Sequence, residues 1–210
     1  MLDPFYPILD SADWIARLLP CGVRLVQLRM KDRSREEIGR EIATAKALCD
    51  KAGAQLIVND YWEVAIALCC DFIHLGQEDL ATADLKAIRR AGMKLGISTH
   101  DEAELDRALE AEPDYIALGP IYPTKLKAMK FAPQGLPRIG EWREKIGKIP
   151  LVAIGGVTLE RVEGVLAAGA DSAAVVTDIT LNADPEARTR DWVRATACRL
   201  HKPSPATPVL

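Results

Sequence analysis

The sequence lacks any apolar run of the roughly 18 residues that a membrane-spanning helix needs. Its opening, Met-Leu-Asp-Pro-Phe-Tyr-Pro, has neither a charged leader nor an apolar stretch behind one. Neither a span nor a secretory leader is expected, and the expected compartment is the cytoplasm. A basic block is also missing: 27 Lys and Arg are interspersed with 30 Asp and Glu, for a formal net charge of −3. This distribution leaves no nucleic-acid footprint and no polybasic membrane patch, so an anion site has to be built locally. Cys21, Cys49, Cys69, Cys70 and Cys198 include no Cys-x-x-Cys pair. They read as reduced packing residues rather than metal ligands or nucleophiles. No shift in composition marks a domain boundary, and 210 residues at 49% hydrophobic content suffice for one large domain burying roughly 70% of its unfolded surface.

What is present is an alternation. Short apolar runs at Phe5–Leu9, Val23–Leu28, Gln55–Val58, Phe72–Leu75, Lys94–Ile97, Tyr115–Leu118, Leu151–Ile154 and Ser172–Val176 are separated by longer segments with helical spacing. Leu151-Val152-Ala153-Ile154 is continuously apolar, as a strand covered on both faces should be. Ser34 and Glu37 make a capping box for a helix whose apolar stripe is Ile38, Ile42, Ala45 and Leu48. Gly22, Gly53, Gly92, Gly147 and Gly169 each close a helical pattern just before an apolar run, as left-handed caps feeding the next strand would. Eight strands, each followed by a helix, predict a single α/β domain over residues 1–201, a closed (β/α)₈ TIM barrel with parallel strands. The Pro-rich segment 202–210 is expected to be a disordered tail.

In such a barrel the ligand site lies at the C-terminal ends of the strands, and the chemistry-bearing residues collect there. The second run ends in Gln27-Leu28-Arg29-Met30-Lys31, the third in Asn59-Asp60, and the fourth in His74-Leu75-Gly76-Gln77-Glu78-Asp79. The fifth ends in Ser98-Thr99-His100, the sixth opens a Pro-pinned loop with Thr124 and Lys127, and the seventh and eighth deliver Gly155-Gly156 and Val176-Thr177. Period-two alternation puts Gln27 and Arg29 on the inward face and turns Leu28 and Met30 away. Arg29 needs a partner, either Asp60 in a structural salt bridge or a substrate anion. Three cations around one mouth, Arg29, Lys31 and Lys127, favour the anion, because each close charge pair is worth roughly 4 kcal/mol before desolvation. Asp60 and Asp79 read either as caps of the helices that follow them or as Mg²⁺ ligands, which take one or two carboxylates, waters and phosphate oxygens. On the far side, Gly155-Gly156-Val157-Thr158 should turn from strand into helix and offer backbone N–H groups to a second phosphate.

Taken together, Tyr6-Pro-Ile, Gln27 to Lys31, Val58-Asn-Asp60, His74 to Asp79, Gly96-Ile-Ser-Thr-His100, Gly119 to Thr124, Ala132-Pro-Gln-Gly135, Ala153-Ile-Gly-Gly156 and Ala174-Val-Val-Thr177 resemble the thiamine phosphate synthase family. The resemblance implies a transferase that condenses a hydroxymethylpyrimidine diphosphate with a hydroxyethylthiazole phosphate, or its carboxylated form, and releases pyrophosphate with Mg²⁺ as cofactor. It assigns Gln27, Leu28, Arg29, Met30, Lys31, Asn59 and Lys127 to the pyrimidine diphosphate and Asp60 with Asp79 to the metal. Ser98 is placed against the pyrimidine, and Thr124, Lys125, Leu126, Gly156, Val176 and Thr177 around the thiazole phosphate. Arg29, Lys31, Ser98 and Lys127 carry the catalytic roles. Its partners are thus small phosphorylated molecules, not nucleic acid or membrane, and self-association is left open. Leu126 stands where the family commonly has a threonine, Thr177 where serine is usual, and Asp178 adds a negative charge nearby. A related reading is a thiazole tautomerase-like isomerase using His100 or His74, and a third is a non-catalytic barrel that binds phosphorylated ligands.

Overall fold

The structure, a computed structural model, describes residues 2–124 and 131–197. Eight strands pair in parallel and in sequence order, and the eighth closes onto the first. They are β1 (Phe5–Leu9), β2 (Leu25–Leu28), β3 (Gln55–Asn59), β4 (Phe72–Leu75), β5 (Lys94–Thr99), β6 (Tyr115–Leu118), β7 (Leu151–Ile154) and β8 (Ser172–Val175). All eight expected runs are strands, with their edges moved. β2 begins at Leu25, β5 extends through Thr99 because Ser98 and Thr99 pair with Ala117 and Leu118, and β8 ends one residue early.

Ten α-helices cover the outside among the described residues: α1 (Ala12–Leu18), α2 (Arg35–Ala52), α3 (Trp62–Ala67), α4 (Gln77–Leu80), α5 (Leu85–Arg90), α6 (Glu102–Glu110), α7 (Gly135–Ile146), α8 (Val162–Ala167), α9 (Thr177–Thr180) and α10 (Pro185–Ala197). None is long and apolar enough to cross a membrane. The expected capping box is present: the Glu37 N–H donates to Ser34 Oγ at 3.2 Å while Glu37 Oε2 accepts from the Ser34 N–H at 2.9 Å. The α2 stripe runs Ile38, Ile42, Ala45 and Cys49, with Leu48 only half-buried. Gly147 has a positive φ of 61°, yet its ψ of −112° lies outside the left-handed helical well, unlike Gly53 at the end of α2.

Two cores result from the strand alternation. One fills the layer between barrel and helices and contains Leu28, Met30, Val58, Leu75, Ile97, Leu118 and Ala153. The other fills the barrel interior and contains Tyr6, Ile8, Leu25, Ile57, Phe72, Tyr115, Ala117, Val152 and Ala174. A filled barrel fixes its strand ends in space, which is what makes the upper rim a rigid platform. Cys49 and Cys70 are buried free thiols whose pKa is pushed up to about 11 by burial, in keeping with a packing role. Cys198 and the expected tail lie outside the described residues.

Candidate active site

The carboxyl ends of β2, β3 and β4 bring four charged side chains together. Asp60 follows β3 at a φ of 66°, and its N–H donates to the His74 carbonyl at 2.9 Å. The left-handed backbone, tolerated by aspartate more than by most residues, aims the carboxylate across the rim. There Lys31 Nζ donates to Asp60 Oδ2 at 3.0 Å, and the Asp79 carboxyl is close enough to Asp60 to feel its charge. Burial first and the Asp60 charge second hold the Asp79 carboxyl above its ordinary pKa. Two carboxylates pressed together in this way repel unless a proton or a cation lies between them.

Neither carboxylate is a helix cap. The N-cap of α3 is Tyr61, and that of α4 is Gly76, both without a side-chain cap bond. The alternative partner for Arg29 is also not realised, because Asp60 is taken by Lys31. Arg29 is exposed at the mouth, with no ion pair or side-chain hydrogen bond among the described residues. Its charge is close enough to help lower the pKa of His74. Leu28 and Met30, expected among the substrate-holding residues, are buried on the helix-facing side at 0% and 1% exposure, so their side chains do not reach the mouth.

Beneath the rim runs a polar thread that the sequence reading missed. Gln27 Nε2 donates to Tyr6 Oη at 2.8 Å, Tyr6 Oη lies 3.0 Å from Tyr115 Oη, Tyr115 Oη lies 2.7 Å from His74 Nδ1, and His74 Nε2 lies 2.8 Å from Ser98 Oγ. Asn59 and Ser98 complete the polar layer, Asn59 buried and Ser98 half-exposed. The signal was present in the register: Gly96 is paired with Tyr115, and a Cβ on Gly96 would lie 2.1 Å from the Tyr115 ring. Burial lowers the His74 pKa to about 4, so the imidazole is neutral near pH 7. Both ring nitrogens are engaged, Nδ1 by Tyr115 and Nε2 by Ser98. His100 is also engaged, with Nδ1 at 2.6 Å from Glu104 Oε2 and its ring stacked on Phe131.

The opposite side of the mouth is made of backbone. After β6, Ile121 and Tyr122 donate to the carbonyls of Ile154 and Gly155 at 2.9 and 3.0 Å, laying this loop directly on the one after β7. The contact demands glycine: Gly155 and Gly156 sit at φ 95° and 63°, and a Cβ on Gly156 would lie 2.5 Å from the Pro123 carbonyl. Arg161 stacks over Tyr122 at 4.4 Å and donates to the Gly156 carbonyl at 2.6 Å. The helix expected to follow the turn through Thr158 starts only at Val162; the turn extends over residues 157–161. At the end of β8 the uncapped α9 begins at Thr177. Among the described residues the N–H groups of Gly156 and Thr177 have no acceptor. Asp178 turns away from them: its carboxylate accepts from Arg188, from Trp192 Nε1 at 2.7 Å and from the Leu159 N–H at 3.2 Å. Its charge is therefore neutralised locally. Thr124 ends the described part of the loop, and Lys125, Leu126 and Lys127 lie outside the described residues.

The residues fit a divalent cation in one respect: Asp60 and Asp79 form a preassembled pair of hard oxygen donors. Among the described residues no cluster of three or more His, Cys, Asp or Glu side chains could hold a metal, so remaining ligands would have to be water or substrate oxygens, the usual Mg²⁺ arrangement.

Comparison with known proteins points to one family. Residues 6–179 match the family model described as thiamine monophosphate synthase. A thiamine-phosphate synthase of Rhizobium etli is 66% identical over 196 residues, covering 93% of this chain and 96% of the relative. One from Salmonella typhimurium is 50% identical over 192 residues, covering 91% and 88%. Among solved structures, the thiamine phosphate pyrophosphorylase from Pyrococcus furiosus superposes with a TM-score of 0.84 at 26% identity, covering 94% of this chain and 97% of that one. The chain belongs to the thiamine monophosphate synthase family.

Proposed function

We propose that this chain is a thiamine phosphate synthase, joining a hydroxymethylpyrimidine diphosphate to a hydroxyethylthiazole phosphate with release of pyrophosphate. The observation that carries this reading is the rim cluster: an Asp60–Asp79 pair steadied by Lys31, beside an Arg29 with no ion pair among the described residues. Cations and a carboxylate pair at one point suit a diphosphate, because the carboxylates can hold Mg²⁺ while the cations meet phosphate oxygens directly. When bound, Mg²⁺ neutralises part of the charge on the diphosphate.

In the reaction, the bond between the pyrimidine methylene carbon and the diphosphate oxygen breaks, and its electron pair leaves with pyrophosphate. The aminopyrimidine carries the resulting cation until the thiazole nitrogen donates its lone pair to the methylene carbon. Arg29, Lys31 and Lys127 stabilise the negative charge growing on the leaving group. Gln27, Asn59 and Ser98 orient the ring from the polar layer of the barrel. Free N–H groups at Gly156 and Thr177, with Val176 beside them, receive the thiazole phosphate, and the family resemblance adds Thr124, Lys125 and Leu126 to this role, the last two lying outside the described residues. No protein nucleophile is required, so catalysis consists of positioning and charge stabilisation. Incubating both precursors with and without Mg²⁺ and assaying thiamine phosphate and pyrophosphate tests this: product should form only with metal. Equal product in chelator would contradict the metal role, and binding without turnover would contradict the activity.

A further inference from the structure

We propose that Tyr6, Tyr115 and His74 are positioning residues, forming a one-way hydrogen-bond relay through the barrel that fixes Ser98 as a donor toward an acceptor atom of the substrate ring. This rests on the proposed function for the identity of the ring.

The direction follows from counting protons. Gln27 presents its amide nitrogen to Tyr6, so Tyr6 Oη accepts there. Tyr6 Oη has one further partner, Tyr115 Oη. Were Tyr115 to donate to Tyr6, the Tyr6 proton would be buried with no acceptor, a loss large enough to decide the matter. Tyr6 therefore donates to Tyr115, and Tyr115, whose single proton then has no other acceptor, donates it to His74 Nδ1. A neutral imidazole that accepts at Nδ1 carries its proton on Nε2. That proton goes to Ser98 Oγ. The Ser98 hydroxyl proton is left over, and Ser98 stands at the half-exposed rim where β5 ends. The relay thus uses one Ser98 lone pair on the His74 proton and leaves the Ser98 proton with no acceptor among the described residues, so that it is offered outward. A ring nitrogen of an aminopyrimidine matches it, whereas its exocyclic amino group does not.

Two further observations show that the fold makes room for this thread. Gly96 faces the Tyr115 ring at a distance that no Cβ tolerates. The Tyr115 and His74 rings also stack at 5.5 Å with an interplanar angle of 15°, which holds the imidazole plane in line with Ser98.

Two measurements decide the matter. The first needs no substrate: ¹⁵N NMR of histidine-labelled protein, which has three histidines to assign. His74 should be the Nε2–H tautomer in wild type and lose that strict preference in Tyr115→Phe or Tyr6→Phe. An Nδ1–H tautomer in wild type overturns the relay. The second measures kcat/KM for the pyrimidine diphosphate and for two analogues, each with one ring nitrogen replaced by CH. Wild type should lose about 3- to 10-fold or more on one analogue, the value of one hydrogen bond, and that loss should vanish in both Ser98→Ala and Tyr115→Phe. Wild-type indifference to both replacements, or discrimination kept intact in well-folded Tyr115→Phe, overturns the inference alone. A wild type that turns over none of the compounds overturns the proposed function as well.

Discussion

The mouth of this barrel has two halves built from different materials. From β2 to β5 it is made of side chains: Gln27, Arg29, Lys31, Asn59, Asp60, Asp79, His74 and Ser98. From β6 to β8 the interior layer is apolar, with Ala117, Ile154 and Val176, and the polar groups offered are backbone N–H groups shaped by Gly155 and Gly156. The first half concentrates formal charge and holds it by mutual pairing, as Lys31 holds Asp60. Among the described residues of the second, Arg161 is engaged by the Tyr122 ring and the Gly156 carbonyl, and Asp178 is tied to Arg188. A diphosphate with a metal suits the first, and a monophosphate held by amides suits the second. One rim can thus keep two anionic substrates apart by giving each a different kind of partner.

The largest effect should come from the charged half. Arg29→Ala should lower kcat/KM for the pyrimidine diphosphate by about 10²- to 10³-fold, the usual loss for a donor that stabilises developing charge. Its melting temperature should stay at the wild-type value, because the guanidinium has no partner among the described residues. Activity within a few-fold of wild type would move Arg29 out of the site.

Gly156→Ala breaks the other half. A methyl group 2.5 Å from the Pro123 carbonyl has to push the β6 and β7 loops apart. Steady-state kinetics should show the KM for the thiazole phosphate rising by about tenfold or more, while the KM for the diphosphate changes little. Equal changes in both would show that the halves are not independent.

Asp79→Asn should raise the Mg²⁺ concentration for half-maximal activity by about tenfold. The same variant should melt higher, on the order of 1 to 3 °C. The sign follows from the raised carboxyl pKa: a folded-state pKa above the unfolded one costs stability once pH exceeds it, and an amide removes that cost. By the same reasoning wild-type metal affinity should begin to fall, as pH is lowered, above the range of an ordinary aspartate. Apparent Mg²⁺ binding against pH checks it.

The smallest effect on turnover belongs to Asp178→Asn. It weakens a charge-assisted bond to Arg188, and denaturant unfolding should show a loss of about 2 kcal/mol. Arg188 keeps Glu160 as a partner at 2.8 Å, which limits the damage. Both KM values should remain near wild type, because the carboxylate faces α10 rather than the pocket.

The side-chain half was the more legible in sequence. Charged residues at strand ends stand out against apolar runs, and alternation alone separated Arg29 from Leu28 and Met30. The pairing was not legible: Asp60 takes Lys31 rather than Arg29 because a left-handed backbone at Asp60 redirects its carboxylate, and no local pattern announces that. The polar thread was hidden because Tyr6 and Tyr115 sit in apolar runs and read as core, and only the Gly96–Tyr115 register joins them to His74. Of the backbone half, Gly155 and Gly156 were visible as residues, but their reason is tertiary, the loop after β6 lying on top of them. The helix start was misplaced because residues 157–161 turn before α8 can begin, braced by Arg161 and by the Asp178 bond to Leu159. Strand count and order were legible throughout, since a doubly covered parallel sheet leaves short, continuous apolar runs that little else produces.

On this reading Asp60 and Asp79 couple diphosphate binding to a divalent cation. Calorimetric titration of the pyrimidine diphosphate into wild type and Asp79→Asn, with and without Mg²⁺, tests it most directly. Metal should tighten binding at least about tenfold in wild type and far less in the variant. Equal affinity with and without Mg²⁺ in the wild-type protein would contradict it.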